Sequence, residues 1–175
     1  MVRTVFLIGY MGAGKTTVGK SLAKKIKYNF YDLDNYIELK ERRSIENIFQ
    51  EKNEVYFRKI EHKYLKELST IKENKIISTG GGTPCFKNNL DLINSAENSI
   101  SIYLKASVEV LMERLKNGIE KRPLISHLNE SDKLKDFLNK HLFERSFYYE
   151  QSKIKVKTDG MNLNDVTKMI FEILA

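Results

Sequence analysis

The run Gly9-Tyr10-Met11-Gly12-Ala13-Gly14-Lys15-Thr16-Thr17 places a lysine and two hydroxyls at the end of a glycine-rich turn, in the P-loop spacing G-x-x-x-x-G-K-[ST]. Such a turn lets backbone N–H groups approach phosphate oxygens without a Cβ in the way. A helix opening near Lys15 would add the positive end of its dipole. Lys15 would supply a point charge to the β- and γ-phosphates, and the Thr16 hydroxyl is placed to hold Mg²⁺. Gly12, Ala13, Gly14, Lys15, Thr16 and Thr17 are therefore the candidate phosphate-binding residues. A glycine loop with no ligand is the competing reading, but the apolar run before it and the helical spacing after it (Val18, Leu22, Ala23, Ile26) are what the motif requires. The loop alone indicates ATP or GTP and does not say what receives the phosphate.

Four further clusters could do chemistry. Asp32-Leu33-Asp34 places two carboxylates at the end of a short strand. One can face Mg²⁺, usually through water, and the other a second substrate; helix capping by Asp34 or Asn35 is the plain alternative. Arg58 and Glu61 are three apart and share a helix face. They form either a surface ion pair or an oriented guanidinium fork for a carboxylate. Gly80-Gly81-Gly82 leaves bare backbone at another strand end. Arg122, before Pro123 in the polar stretch from Arg114 to His127, stands where a closing lid could bring it to phosphoryl charge.

These groups need a scaffold that gathers strand ends. Apolar strand patterns at Val5–Ile8, Tyr28–Tyr31, Lys75–Thr79, Ser99–Leu104 and Ile154–Val156 alternate with helical patterns. That alternation predicts an α/β fold with a parallel sheet covered on both faces, in which ligands sit beyond the carboxyl ends of the strands. Residues 35–70 look helical with a break near Arg43-Ser44. Ser107 is a candidate N-cap, and residues 131–150 form a helix with Leu134, Phe137, Leu138, Leu142 and Phe143 inward. Phe49 and Phe57 fit a core as well as a ligand wall.

A chain of 175 residues without an internal repeat or a Pro/Gly-rich linker suits one domain. No apolar run approaches the roughly 20 residues of a membrane span, and no signal peptide is expected ahead of the first strand. Cys85 is the only cysteine, which fits a reducing cytoplasm. The net charge of +7 allows nucleic-acid binding, but the lysines are scattered and no base-reading motif accompanies them. An enzyme acting on anionic ligands is preferred, with no nucleic acid, no membrane and no partner chain expected: a monomer. The three histidines (His62, His127, His141) lack zinc-ligand spacing.

The whole set resembles the shikimate kinase family. The resemblance is carried by Gly9–Thr17, Asp32-Leu33-Asp34, Phe57-Arg58 with Glu61, Gly80-Gly81-Gly82, Arg122-Pro123-Leu124-Ile125, and Arg145 with Tyr149 four residues on. It implies a three-layer, nucleoside-monophosphate-kinase-like P-loop NTPase fold with a five-stranded parallel sheet, a substrate-binding helical region at 33–61 and a lid at 114–129. It implies ATP- and Mg²⁺-dependent phosphorylation of the 3-hydroxyl of shikimate, on the way to chorismate and the aromatic amino acids. It places Asp32 with Thr16 at the metal, Asp34 on the shikimate hydroxyls, and Arg58, oriented by Glu61, with Arg145 on the carboxylate. Gly80, Gly81 and Gly82 then lie against the ring, Phe49 and Phe57 form pocket wall, Arg122 is the lid arginine, and Arg114 lies along adenine. Asn53 and Thr83-Pro84 depart from the family's usual glycine and small apolar residues. After Thr158 there is no arginine of the kind some members use beside adenine. A related gluconate kinase, or a nucleotide-binding regulatory module without turnover, are the competing functions.

Overall fold

The computed structural model describes residues 3–116 and 131–175. Five strands, β1 (Thr4–Ile8), β2 (Asn29–Asp32), β3 (Lys75–Ser78), β4 (Ser99–Lys105) and β5 (Ile154–Lys157), form one sheet in the order β2-β3-β1-β4-β5. Every pairing is parallel, with Val5 opposite both Ile76 and Ile100. The central strand is buried along its whole length, as its unbroken apolar run requires.

Helices cover both faces. Helix α1 (Lys15–Ile26) and helix α8 (Leu163–Leu174) lie together on one side, where Thr167 and Ser21 meet hydroxyl to hydroxyl at 3.1 Å. On the other side Ser101 of β4 donates to Asn94 of α5 (Asn89–Ser95), and Tyr103 stacks on Tyr149 of α7 (Ser131–Tyr149), with ring centroids 5.1 Å apart. Helix α6 (Val108–Lys116) packs on α7. The expected α/β sandwich of a five-stranded parallel sheet between helices is thus present.

The helical stretch after β2 is divided into α2 (Leu33–Glu41), α3 (Ile45–Glu51) and α4 (Glu54–Thr70). Ser44 caps α3 through its hydroxyl, at the break expected there. A second break, absent from the sequence reading, falls at Asn53. Its φ of 117° lies in a region that favours glycine, and its side chain accepts from the Tyr56 N–H at 3.0 Å. Asparagine here trades backbone ease for a side-chain cap.

Other expectations need correcting. Phe143, expected inward, is 83% exposed; its helix turns Leu134, Leu138 and Tyr149 fully into the core instead. Arg114, expected to open the lid, instead sits in the last turn of α6. The rest of the expected lid, including Arg122, lies outside the described residues, as does His127.

Candidate active site

The turn after β1 wraps around the amino end of α1. Gly12 and Gly14 take φ of 82° and 93°, the left-handed backbone that the motif's glycines allow. The Lys15 ammonium donates to the carbonyls of Gly9 (2.8 Å) and Tyr10 (3.0 Å), so the lysine is folded over its own loop and nearly buried. Arg114 reaches across from α6 and donates to the carbonyls of Gly12 and Ala13, both at 3.3 Å. A cavity of about 570 Å³ opens over this loop.

Asp32 and Asp34 have separate tasks. Asp32, not Asp34 or Asn35, caps α2: its Oδ1 accepts from the N–H groups of Asp34 and Asn35. Its Oδ2 accepts from the Thr16 hydroxyl at 2.7 Å. A hydroxyl and a carboxylate oxygen therefore meet beside the phosphate loop, a hard donor pair that suits Mg²⁺. No cluster of three acidic, histidine or cysteine side chains among the described residues could hold a metal. An ion at Thr16 and Asp32 would complete its shell with phosphate oxygens and water.

Asp34, relieved of capping, lines the cavity with Gly80 and Gly81. Burial, then the nearby Glu61 and Asp32 carboxylates, push its pKa up to about 7, against the pull of Lys15 and Arg58. A carboxylate poised near neutrality can take a proton from an alcohol.

The third region is a cavity of about 370 Å³ lined by Glu54, Val55, Arg58, Gly82, Cys85, Phe86 and Arg145. Arg58 and Arg145, 87 residues apart in the chain, thus converge on one small space. The Arg58 Nη1 donates to Glu61 at 2.8 Å, and Glu61 is completely buried. The Arg58 side chain retains 15% exposure, and its other edge, Nε and Nη2, makes only long 3.4 Å bonds to the exposed Glu54, a contact that a ligand carboxylate can displace. Gly82 presses against this fork. A Cβ there would lie 2.5 Å from Nη2 of Arg58, which is the close approach the third glycine permits. Arg145 rests over the Tyr10 ring at 5.4 Å. The triple-glycine turn separates the two cavities, with Gly80 and Gly81 on the larger and Gly82 on the smaller.

The two phenylalanines sit behind this wall. Phe57 is a buried core residue stacked on Phe49, with centroids 4.8 Å apart, and neither lines the two cavities. Phe57 supports the site from beneath, its ring 5.3 Å from the Arg58 guanidinium.

Several contributors were not among the expected site residues. Tyr149 donates to the carbonyl of Gly81 at 2.6 Å and so fixes the turn between the cavities. Tyr10 carries Arg145 on its ring face. Thr158, Met161, Asn162, Leu163 and Val166, from the β5–α8 connection and the start of α8, line the larger cavity together with the phosphate loop. The spacing of Arg145 and Tyr149, and the family resemblance that puts the stretch after Thr158 beside adenine, were the advance pointers to these.

Comparison with known proteins agrees with this architecture. The family model described as shikimate kinase matches residues 11–175. The shikimate kinase of Flavobacterium johnsoniae is 44% identical over 171 residues, covering 98% of both chains. Among solved structures, the shikimate kinase of Bacteroides thetaiotaomicron superposes with a TM-score of 0.89 at 35% identity, covering 98% of this chain and 97% of that one. The Acinetobacter baumannii shikimate kinase, solved in complex with shikimate, gives 0.86 at 31% identity, covering 99% and 93%. On the phosphate loop, the paired arginines and this full-length similarity together, the chain belongs to the shikimate kinase family.

Proposed function

We propose that the chain transfers the γ-phosphoryl group of ATP to the 3-hydroxyl of shikimate, giving shikimate 3-phosphate and ADP, on the route to chorismate and the aromatic amino acids. The observation that carries this reading is the pair Arg58 and Arg145 on one small cavity, a glycine turn away from the phosphate loop, with Asp34 facing the loop side. Two guanidinium groups fix both the plane and the tilt of a single carboxylate. Asp34 then receives the hydrogen bond of the attacking hydroxyl. As the oxygen–phosphorus bond forms and the bond to the ADP oxygen breaks, the hydroxyl proton passes to the Asp34 carboxylate. Gly80, Gly81 and Gly82 bring backbone against the ring.

Phosphoryl transfer is largely positioning and charge neutralisation. Lys15 and the N–H groups of residues 12–17 hold the phosphates, and Arg114 braces that loop beside the nucleotide. Mg²⁺, held by Thr16 and Asp32, supplies neutralising charge on the phosphate oxygens when bound. Arg122, outside the described residues, takes from the family resemblance the role of adding charge to the transferring group, in the lid expected at 114–129. Residues 33–61 form the substrate-binding region. We take the protein to be a monomeric cytoplasmic enzyme; its lone cysteine supports a reducing compartment.

The deciding experiment is ADP release from ATP and Mg²⁺ with shikimate and, separately, with gluconate. Turnover with shikimate alone is expected; turnover only with gluconate would transfer the assignment to the related kinase. Arg58→Ala is expected to raise KM for shikimate roughly 10- to 100-fold with a smaller change in kcat, because a charge-assisted fork is lost. Gly82→Ala should move KM the same way, since its Cβ displaces the Arg58 fork. An unchanged KM in Arg58→Ala would remove that residue from the site.

A further inference from the structure

Thr83 touches neither cavity, yet it holds the residue that aims Arg58. Its hydroxyl is fully buried and donates to Oε1 of Glu61 at 2.6 Å. The other oxygen of Glu61 accepts from Nη1 of Arg58 at 2.8 Å. Glu61 is itself 0% exposed, so its two oxygens are divided between a threonine and an arginine and neither turns to water.

That division has a chemical consequence. A carboxylate facing a guanidinium with no other donor closes on it with both oxygens, and the fork is consumed. With Oε1 retained by Thr83, Glu61 engages one Arg58 nitrogen. The remaining edge of the fork donates from Nε and Nη2 to the exposed Glu54 at 3.4 Å, long bonds that a substrate carboxylate can displace, whereas a second Glu61 oxygen at hydrogen-bond distance would not yield.

Thr83 is anchored for this purpose. Its carbonyl accepts from Nδ2 of the buried Asn89 at 2.8 Å, and Oδ1 of Asn89 lies 2.5 Å from Nδ1 of His62. Because the amide nitrogen of Asn89 is committed to Thr83, its oxygen faces the histidine, and His62 carries a proton on Nδ1. The turn after the third glycine is thereby clamped to two successive residues of α4, Glu61 and His62.

We infer that Thr83 is a positioning residue for substrate recognition, holding Glu61 to one nitrogen of Arg58 so that the other edge, bound only weakly by the exposed Glu54, can turn to the substrate carboxylate. The inference rests on the shikimate kinase reading. It is tested by steady-state kinetics of the full chain with Thr83→Val, which keeps shape and removes the donor, and Thr83→Ser, which keeps the donor. Thr83→Val is expected to raise KM for shikimate about 10-fold, with kcat within about twofold and KM for ATP unchanged, while Thr83→Ser restores the wild-type KM. A shikimate KM unmoved in Thr83→Val, or equal losses towards both substrates that Thr83→Ser does not repair, would overturn it. Should Thr83→Val fail to fold, Thr83→Ala decides by the same readout. Absence of shikimate turnover by the wild-type chain would instead overturn the functional reading itself, and the role of Thr83 with it.

Discussion

Lys15→Ala is expected to cut turnover by roughly 10³-fold or more while leaving the fold in place. The lysine is the one cation built into the phosphate loop. Its ammonium is already gathered over that loop by the Gly9 and Tyr10 carbonyls, so little reorganisation is needed when phosphate arrives. The Gly9 and Tyr10 carbonyls are buried, so losing their donor should lower the melting temperature by roughly a few degrees without abolishing the fold. A second consequence separates charge from shape. Lys15 is one of the two cations that hold the Asp34 pKa down, so its removal should move the acidic limb of kcat/KM to higher pH. Lys15→Arg should not restore the rate, since a broad planar fork does not replace a compact point charge at this spot. Near-wild-type ADP release by Lys15→Ala would end the phosphate role.

Features set by near neighbours in the chain could be read from the sequence; features set across it could not. The β1–loop–α1 unit is a continuous run, and its spacing carried the phosphate site. The last helix, Leu163–Leu174, is likewise set locally, its start marked by the Asn162 side chain accepting from the Asp165 N–H. Asp32 and Asp34 were recognisable as a pair, but the choice of capping residue depended on which carboxylate the Thr16 hydroxyl could reach from another element. Phe143 matched a helical stripe and still faces outward, since the stripe cannot say how far around its helix the partner surface extends. Tyr149 meets the Gly81 carbonyl 68 residues away, and Arg145 lies on Tyr10 from the opposite end of the chain. No periodicity encodes such meetings. The resemblance directed attention to the stretch after Thr158, but its individual contributors, Met161, Asn162 and Leu163, become a surface only where the fold brings them to the phosphate loop.

Asp34→Asn should show loss of chemistry accompanied by gain of stability. An amide cannot take the hydroxyl proton, so kcat with shikimate should fall by roughly 10²- to 10⁴-fold, the span of general-base contributions. Stability should move the other way. The carboxyl has an ordinary value of 3.8 and is raised to about 7 in the fold, first by burial and then by Glu61 and Asp32. The folded chain therefore holds this proton more tightly than the unfolded one. Relative to acid conditions, the wild type loses stability as pH climbs from about 4 to about 7, and the loss is constant above that. The asparagine variant has no charge to bury and avoids it. Its melting temperature should match that of the wild type near pH 4 and exceed it at pH 8, by about 2–4 °C for each kcal/mol recovered. Thermal melts at the two pH values, paired with initial rates at pH 8, give both answers. Identical melting at every pH would mean that the carboxylate is well solvated and its pKa ordinary. A surviving kcat would mean that the hydroxyl loses its proton elsewhere. The combination of a dead variant with a higher melting temperature would show that the fold tolerates a destabilising charge at Asp34 because the reaction requires it.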